Sequence, residues 1–242
     1  ARAEAGWAPS INLVGSGRYL ASRPKAQTGR LVQIDLATGQ SQTLLAADIY
    51  DLELSSDGQW LAAMIWAEDL QAPPDQPLRV ASAARRRNLI LVDLRNGRTA
   101  TPCPDCHLDT HLIAWSPKGR EVLVYGRRQT SKPQAPTYLR LSWASARPVQ
   151  LPGVRPIIDR TSEGYAIPRA TWLGDQPLIL AEPDGGGRAD WWRVTKSGLK
   201  NMTKGLPQAP DAMVWPRTGD AVLVKVGGEI YEVSPDAPPQ RL

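Results

Sequence analysis

Phenylalanine is absent from this chain of 242 residues, and cysteine and histidine occur only twice each. Two cysteines exclude a small scaffold held together by many disulfides. The longest clean apolar run, Leu61-Ala-Ala-Met-Ile-Trp-Ala67, falls far short of the roughly 20 residues of a bilayer-spanning helix, so no membrane span is expected. The last histidine is His111, and no Gly-x-Ser-x-Gly elbow occurs. A nucleophilic serine followed by an acid and then a histidine therefore cannot be assembled from these residues. Phosphate-binding loops, the dinucleotide fingerprint, paired metal-binding histidines and the EF-hand loop are missing too. No cofactor is expected. Charge of one sign is also scarce, since 29 basic against 24 acidic residues give a formal +5. The one tight basic run, Arg85-Arg86-Arg87, stands among neutral neighbours, which is not the clustered stripe of a nucleic-acid binder.

What remains has ordinary globular composition, 42% hydrophobic and 22% charged, punctuated by 20 glycines and 22 prolines. Those figures exclude disorder and a collagen-like chain. Nine tryptophans and six tyrosines carry the aromatic content; nothing in the residue pattern explains the missing phenylalanine.

The organising signal is a repeat, seen about five times. A short apolar strand, a glycine turn, a second apolar strand, a variable loop and a third strand with a polar turn follow one another. The clearest copy runs from Leu52-Glu53-Leu54 through Ser55-Ser56-Asp57-Gly58-Gln59-Trp60 into Leu61-Ala62-Ala63-Met64-Ile65. It resumes at Asn88-Leu89-Ile90-Leu91-Val92-Asp93-Leu94-Arg95-Asn96-Gly97. The next places Ala114-Trp115-Ser116-Pro117-Lys118-Gly119 before Val122-Leu123-Val124-Tyr125, and later copies centre on Trp172-Leu173-Gly174-Asp175 and Trp215-Pro216-Arg217-Thr218-Gly219. A degenerate first copy ends in Leu31-Val32-Gln33-Ile34-Asp35-Leu36-Ala37-Thr38-Gly39.

Each run has strand length, strand composition and a hairpin-forming glycine at its end. The continuous second strands predict burial on both faces, whereas the third, alternating as in Val32-Gln33-Ile34-Asp35, predicts half exposure. A fourth strand is expected in Gln40–Leu45, Arg98–Thr101, Pro148–Leu151, Leu199–Thr203 and Gln240–Leu242. The expected fold class is thus all-β, a β-propeller of four-stranded antiparallel blades over residues 1–242. Its blade-like units fall at about 7–46, 47–102, 108–152, 166–206 and 208–242. Trp60, Trp115, Trp172 and Trp215 recur in or beside the first two strands and are expected as core between blades.

The stretch Ser116-Pro117-Lys118-Gly119-Arg120-Glu121-Val122-Leu123-Val124 resembles the Ser-Pro-Asp-Gly blade motif. That motif marks propellers of the prolyl oligopeptidase family of serine peptidases and of TolB-like proteins. Ser55-Ser56-Asp57-Gly58 lacks the proline, and the last two copies keep only the glycine and the flanking tryptophan. The peptidase resemblance implies a propeller that caps an α/β-hydrolase domain or chain and filters peptide substrates by size, with no catalytic residue in this chain. Within that family the Cys-Pro-Asp-Cys insertion and Arg-rich loops are similar to the exported isopeptidases that open lasso peptides. The TolB-like alternative is a stand-alone periplasmic propeller for binding or protein interaction, or a ring closed by five lectin-like blades.

In a four-stranded blade the second-to-third strand loops share a face with the blade connections. Here these are the long segments, at 67–87, 127–137 and 183–190, with 103–110 and 152–169 between blades, and long loops on a rigid scaffold are where binding concentrates. They hold Arg85, Arg86, Arg87, Arg127 and Arg128, which can fork onto carboxylates and are the substrate-binding candidates. Acidic residues in the same loops make solvated loop charge the competing reading. Adjacent Trp191 and Trp192 must point to opposite sides of one strand. One of them is expected at an outward rim, as an aromatic contact.

Cys103-Pro-Asp-Cys106 has the spacing of a small disulfide loop in an oxidising compartment. With His107 it also matches the haem attachment pattern, for which His111, Met202 or Met213 would be the second axial ligand. Zinc is a further alternative through Cys103, Cys106, His107 and His111. A turn without flanking helices does not enclose a porphyrin, and the donors lie too close in sequence for a zinc finger; a disulfide or free thiols are favoured. Ala1-Arg2-Ala3 before Glu4 looks like the tail of a signal-peptidase site. Both features predict a periplasmic or secreted protein.

Overall fold

The computed structural model describes residues 11–14, 18–23, 30–47, 49–66, 87–108, 114–128, 135–160, 166–211, 214–216, 221–234 and 237–242. Of 11–14, 18–23, 30, 50, 66, 160, 166–168 and 216 the backbone alone is described. Every helix or strand among these residues is a β-strand. The chain divides into two compact units, Ala1–Leu108 with Arg128–Pro133, and Asp109–Arg127 with Gln134–Leu242.

The first unit holds two antiparallel sheets whose strands follow chain order. One contains β1 (Ile11–Val14), β2 (Arg18–Arg23), β3 (Arg30–Asp35) and β4 (Ser41–Ala46). The other contains β5 (Ile49–Leu54), β6 (Trp60–Trp66), β7 (Arg87–Asp93) and β8 (Thr99–Ala100), after which comes β9 (Cys106–Leu108). Chain-order pairing needs tight turns, and the sequence supplies one form twice. In Asp35-Leu-Ala-Thr-Gly39 and Asp93-Leu-Arg-Asn-Gly97 the glycine N–H donates to the aspartate carbonyl at 2.8 and 2.7 Å. The aspartate carboxylates accept the Ala37 and Arg95 N–H groups at 2.9 and 3.0 Å. Gly39 and Gly97 take φ of +70° and +71°, a region that side chains enter only at a cost. Between first and second strands a serine closes the turn, Ser55 Oγ accepting the Trp60 N–H at 2.9 Å and Ser116 Oγ the Glu121 N–H at 3.1 Å. Leu31, Leu44 and Ala47 of the first sheet pack on Leu61, Ala63, Ile65, Ile90 and Val92 of the second.

The second unit holds three sheets. The first runs β10 (Ala114–Trp115), β11 (Glu121–Arg128), β12 (Thr137–Ser142), β13 (Ser145–Pro148). The next is built around β18 (Gln176–Pro183), β19 (Asp190–Thr195) and β20 (Gly198–Asn201). Its inner edge is shared by β14 (Val154–Pro156) and β17 (Ala170–Leu173), between which a hairpin of β15 (Ile158–Arg160) and β16 (Ala166–Pro168) is inserted. The last runs β21 (Val214–Pro216), β22 (Val222–Val226), β23 (Glu229–Ser234), β24 (Ala237–Arg241). Strands β10, β17 and β21 lie side by side. One core joins the first two of these sheets through Leu123, Tyr125, Tyr138, Trp172 and Ile179. Another joins the second to the third through Leu178, Leu180, Trp191, Val222 and Val224.

Four expectations are corrected. Strand β7 is buried along its whole length, and in β3 it is Gln33 that is buried while Val32 and Ile34 are half-buried. Strand β7 is packed on both faces, which an alternating pattern does not reveal, whereas β23 does stay half exposed, with Ile230 43% exposed and Val233 buried. Residues 152–169 are no simple connection, since Val154–Pro156 pairs with β18 and the hairpin follows. The fourth strand of the third sheet is Ser145–Pro148, ahead of the expected span. Trp215 is no core residue, being 40% exposed, whereas Trp172 is 2% exposed. Trp172 pairs across its hairpin with Pro177, but Trp215 pairs with Leu223, on the face opposite Val222 and Val224. The longer turn before β22 shifts the register by one, and in a strand one residue reverses the face.

Candidate functional site

In the first unit the chemistry gathers around the start of β7. Cys103 and Cys106 form a disulfide, and both are fully buried. The loop is held a second way by the side chain of Asn88, 0% exposed, whose Nδ2 donates to the carbonyls of Cys103 (2.9 Å), Pro104 (3.2 Å) and Cys106 (3.4 Å). Asn88 Oδ1 accepts the Leu89 N–H at 2.7 Å, and the Cys106 N–H donates to the Cys103 carbonyl at 3.0 Å. A buried amide in this position is saturated with partners, as burial demands. Arg87, the first residue of the same strand, is 8% exposed. Asp105 is exposed, with Oδ1 lying 3.3 Å from Cys103 Sγ; a disulfide sulfur carries no proton to share across that contact. Cys103, Asp105 and Cys106 form a grouping of metal-type donors, with ligand atoms within 4.8 Å of one another. Thiolate ligation and thioether attachment both need free sulfurs, so the disulfide form offers only the Asp105 carboxylate.

Two charged features lie elsewhere in the unit, one at the far end of β7 and one on β5. The Asp93 carboxylate takes hydrogen bonds from Arg95 Nε and Nη2 at 2.9 and 2.7 Å and from Asn96 Nδ2 at 3.1 Å. The Arg95 bond, outweighing burial, holds its pKa below the usual carboxylate range. The guanidinium also lies 5.0 Å over the Trp60 ring. On β5, Asp51 and Glu53 project from one side of the strand. Glu53 is exposed by surface area, yet burial of its carboxyl by surrounding atoms, and then the Asp51 charge, push its pKa up to about 7.

In the second unit the sheet around β18 is locked by one acid. Asp190, 6% exposed, accepts from Thr203 Oγ1 (2.8 Å), Asn201 Nδ2 (2.9 Å) and Arg188 Nη2 (2.8 Å). Arg188 also donates to the carbonyls of Leu206 and Thr203 at 2.8 and 2.9 Å, which fastens the loop 183–190 to the connection after β20. At the inner edge Arg155 pairs with Glu182 at 2.7 Å and Arg169 with Asp159 at 3.0 Å, on either side of the inserted hairpin. Arg140 pairs with Glu121 and lies 5.3 Å over Trp172, whose Nε1 donates to the Ala114 carbonyl at 2.7 Å.

The substrate-binding candidates fall on separate elements. Arg85 and Arg86 lie outside the described residues. Arg87 opens β7, and Arg127 and Arg128 close β11, the former exposed and the latter half-buried. Trp191 and Trp192 do face opposite sides, but both are engaged in packing. Trp191, 1% exposed, joins the core shared with the last sheet, and half-buried Trp192 packs on the preceding core and donates Nε1–H to the Ala181 carbonyl at 3.0 Å. Sequence reading missed Asn88 and the Asp190 cluster. A lone asparagine at a strand start carries no periodic signal, and Arg188, Asp190, Asn201 and Thr203 converge only after the sheet has formed.

No protein-family model matches the chain. No curated protein matches it. Solved structures of similar fold do exist. The acylaminoacyl peptidase of Pyrococcus horikoshii is 12% identical, with a TM-score of 0.53 over 97% of this chain and 38% of its own length. An oligogalacturonate lyase in complex with manganese is 11% identical, with a TM-score of 0.53 over 94% of this chain and 62% of the lyase. TolB from Acinetobacter baumannii is 13% identical over 93% of this chain and 53% of TolB, with a TM-score of 0.43. The chain thus spans less than two thirds of each of these proteins. Such identities define the fold alone: an all-β chain of antiparallel sheets of the propeller type. Within that class its structural neighbours include proteins of the prolyl oligopeptidase and acylaminoacyl peptidase family, and a peptidase and a lyase match it equally well.

Proposed function

We propose that this chain is the substrate-gating propeller of an exported serine peptidase of the prolyl oligopeptidase type, its five sheets being successive blades. The observation that carries the reading is the likeness to the acylaminoacyl peptidase over 97% of this chain, together with blades built in chain order on repeated Asp-x-x-x-Gly and Ser-x-x-Gly turns. With no Gly-x-Ser-x-Gly and no histidine after His111, the nucleophile comes from an α/β-hydrolase domain or chain. The role of these residues is then to admit peptides and exclude folded proteins. The Cys103–Cys106 clip is in keeping with export, because such bonds persist in oxidising compartments. Isopeptide-bonded lasso peptides are the narrower substrate class within the proposal.

The test is to express the protein from its complete gene and expose it to a fluorophosphonate probe and to linear and lasso peptides. Labelling of a serine outside residues 1–242, with peptide cleavage lost on its replacement by alanine, is the expected result. Cleavage of linear peptides alone removes the lasso specificity, and a protein that takes no label and cleaves nothing is a binding propeller.

A further inference from the structure

The turn between β8 and β9, which lies wholly within the first unit, is held twice. The Cys103–Cys106 disulfide is one clip. The other is the fully buried Asn88, whose amide donates to the carbonyls of Cys103, Pro104 and Cys106. The Cys106 N–H also donates to the Cys103 carbonyl at 3.0 Å. None of these bonds uses a sulfur, so opening the disulfide leaves the two Cα atoms near their separation of 5.3 Å. The Cys-x-x-Cys spacing is that of a paired thiolate ligand. Asp105 stands between the two cysteines, and its Oδ1 lies 3.3 Å from Cys103 Sγ. A disulfide sulfur has no proton to give it, so the contact becomes attractive only when the sulfur is free and shares a proton or a cation with the carboxylate. The ligand atoms of Cys103, Asp105 and Cys106 lie within 4.8 Å of one another, a span that one ion bridges with bonds of about 2.0–2.3 Å.

We propose that this turn is a redox-gated zinc site, which on reduction holds one Zn²⁺ through Cys103 Sγ, Cys106 Sγ and Asp105 Oδ1. Opening it takes a dithiol. The dithiol breaks the S–S bond with two electrons and becomes a cyclic disulfide, while its two protons pass to the cysteine sulfurs. The ion then displaces both thiol protons. Reoxidation rejoins the sulfurs and expels the ion, so zinc and the disulfide are alternative clips of one turn. Two thiolates beside a carboxylate suit zinc and not calcium or magnesium, which take oxygen ligands. His107 does not complete the set. Along β9 Cys106 and Leu108 are buried and His107 is half-buried, so the imidazole leaves the strand on the side opposite Cys106. The fourth position falls to water, as in other zinc sites with three protein ligands. Asn88 acts as a positioning residue, fixing the backbone that carries all three donors.

The test uses the intact protein, reduced with dithiothreitol, freed of reductant under argon and titrated with Zn²⁺ and, as a spectroscopic probe, with Cd²⁺. The reduced protein is expected to keep its circular dichroism spectrum and to bind one equivalent of either ion. With Cd²⁺ it should show the ultraviolet charge-transfer band of a metal thiolate, which the oxidised protein lacks. Asp105→Asn keeps the disulfide but should weaken zinc binding about tenfold or more. Cys103→Ser combined with Cys106→Ser should abolish both the band and the bound equivalent. Added oxidant should release the zinc as the disulfide re-forms. A disulfide that cannot be reduced in the folded chain, a fold lost on reduction, a reduced chain that takes no metal, or uptake that survives both serines each overturns the proposal. An affinity unchanged in Asp105→Asn overturns the three-donor site. No readout involves peptide cleavage, so the outcome is independent of the proposed function.

Discussion

Replacing Asn88 tests whether a side chain, and not only a disulfide, holds the loop at the start of β7. Alanine at 88 removes the amide that serves the carbonyls of Cys103, Pro104 and Cys106 and the oxygen that accepts the Leu89 N–H. A net hydrogen bond is worth about 0.5–1.5 kcal/mol and an orphaned buried polar group costs about 1–3 kcal/mol, so a loss of about 2–4 kcal/mol is expected. The disulfide, with a sequence separation of only 3, restrains little unfolded chain, and loop entropy assigns it about 2 kcal/mol. Both restraints act on one turn, so removing both should cost less than the sum of the single losses by about 1 kcal/mol. Equilibrium urea unfolding of Asn88→Ala, of the double variant Cys103→Ala/Cys106→Ala, and of the triple variant measures that coupling. Asn88→Asp separates hydrogen bonding from volume. It is isosteric but sets a carboxylate, without donors, against the three carbonyls, so it must cost more than alanine. Additivity within about 0.5 kcal/mol, or an aspartate no worse than alanine, would refute the reasoning.

Asp190→Ala strips three donors of their acceptor at a 6% exposed site; allowing for the part-exposed Arg188, a loss of about 2–4 kcal/mol in thermal or urea unfolding is expected. Asp93 has a depressed pKa in the folded state, so its contribution is present above its unfolded pKa and lost as the pH falls through the folded one. Asp93→Asn should therefore flatten the acid limb of the stability profile below about pH 4, and an unchanged limb would contradict the Arg95 pairing. Glu53 has the opposite sign, its pKa being raised from 4.5 to about 7. Between those values the unfolded chain holds fewer protons than the folded one, so stability declines as the pH rises. Glu53→Gln should remove that decline, as read by melting temperature against pH, and carboxyl titration by NMR should place Glu53 near neutrality.

The elements most legible in the sequence are those specified by local chemistry. Asp35 to Gly39, Asp93 to Gly97 and Ser55 to Gly58 declare their turns because an acceptor side chain and a glycine must sit at fixed offsets, and strands long enough to pair in order follow from them. Burial was less legible. Gln33 and Asn88 are polar and buried, because what covers a strand is the neighbouring sheet, and that neighbour contributes nothing to local periodicity. Trp215 shows the sharpest form of the same limit. Its place in the repeat matches Trp172, yet five residues separate β21 from β22 where two separate β17 from β18, and the odd difference shifts the pairing and turns the ring from core to surface.

Function was the least legible, for a reason that lies in how the fold is held together. The residues that recur along the chain are those that close turns and join sheets, so the repeat reports architecture and is silent on what the loops recognise. Peptidase and lyase then match equally well, because a likeness at such identities reports the fold alone. The residues that distinguish this chain are the ones outside the repeat: the Asn88-held disulfide, the Asp190 lock on loop 183–190, and the hairpin inserted between β14 and β17. Each fixes a long segment at the end of a strand, where the arginine candidates Arg87, Arg127 and Arg128 also lie. A rigid loop root loses less entropy on binding than a mobile one. Under the proposed function, those anchored loops are where a test of specificity starts, with the sheets holding them in place.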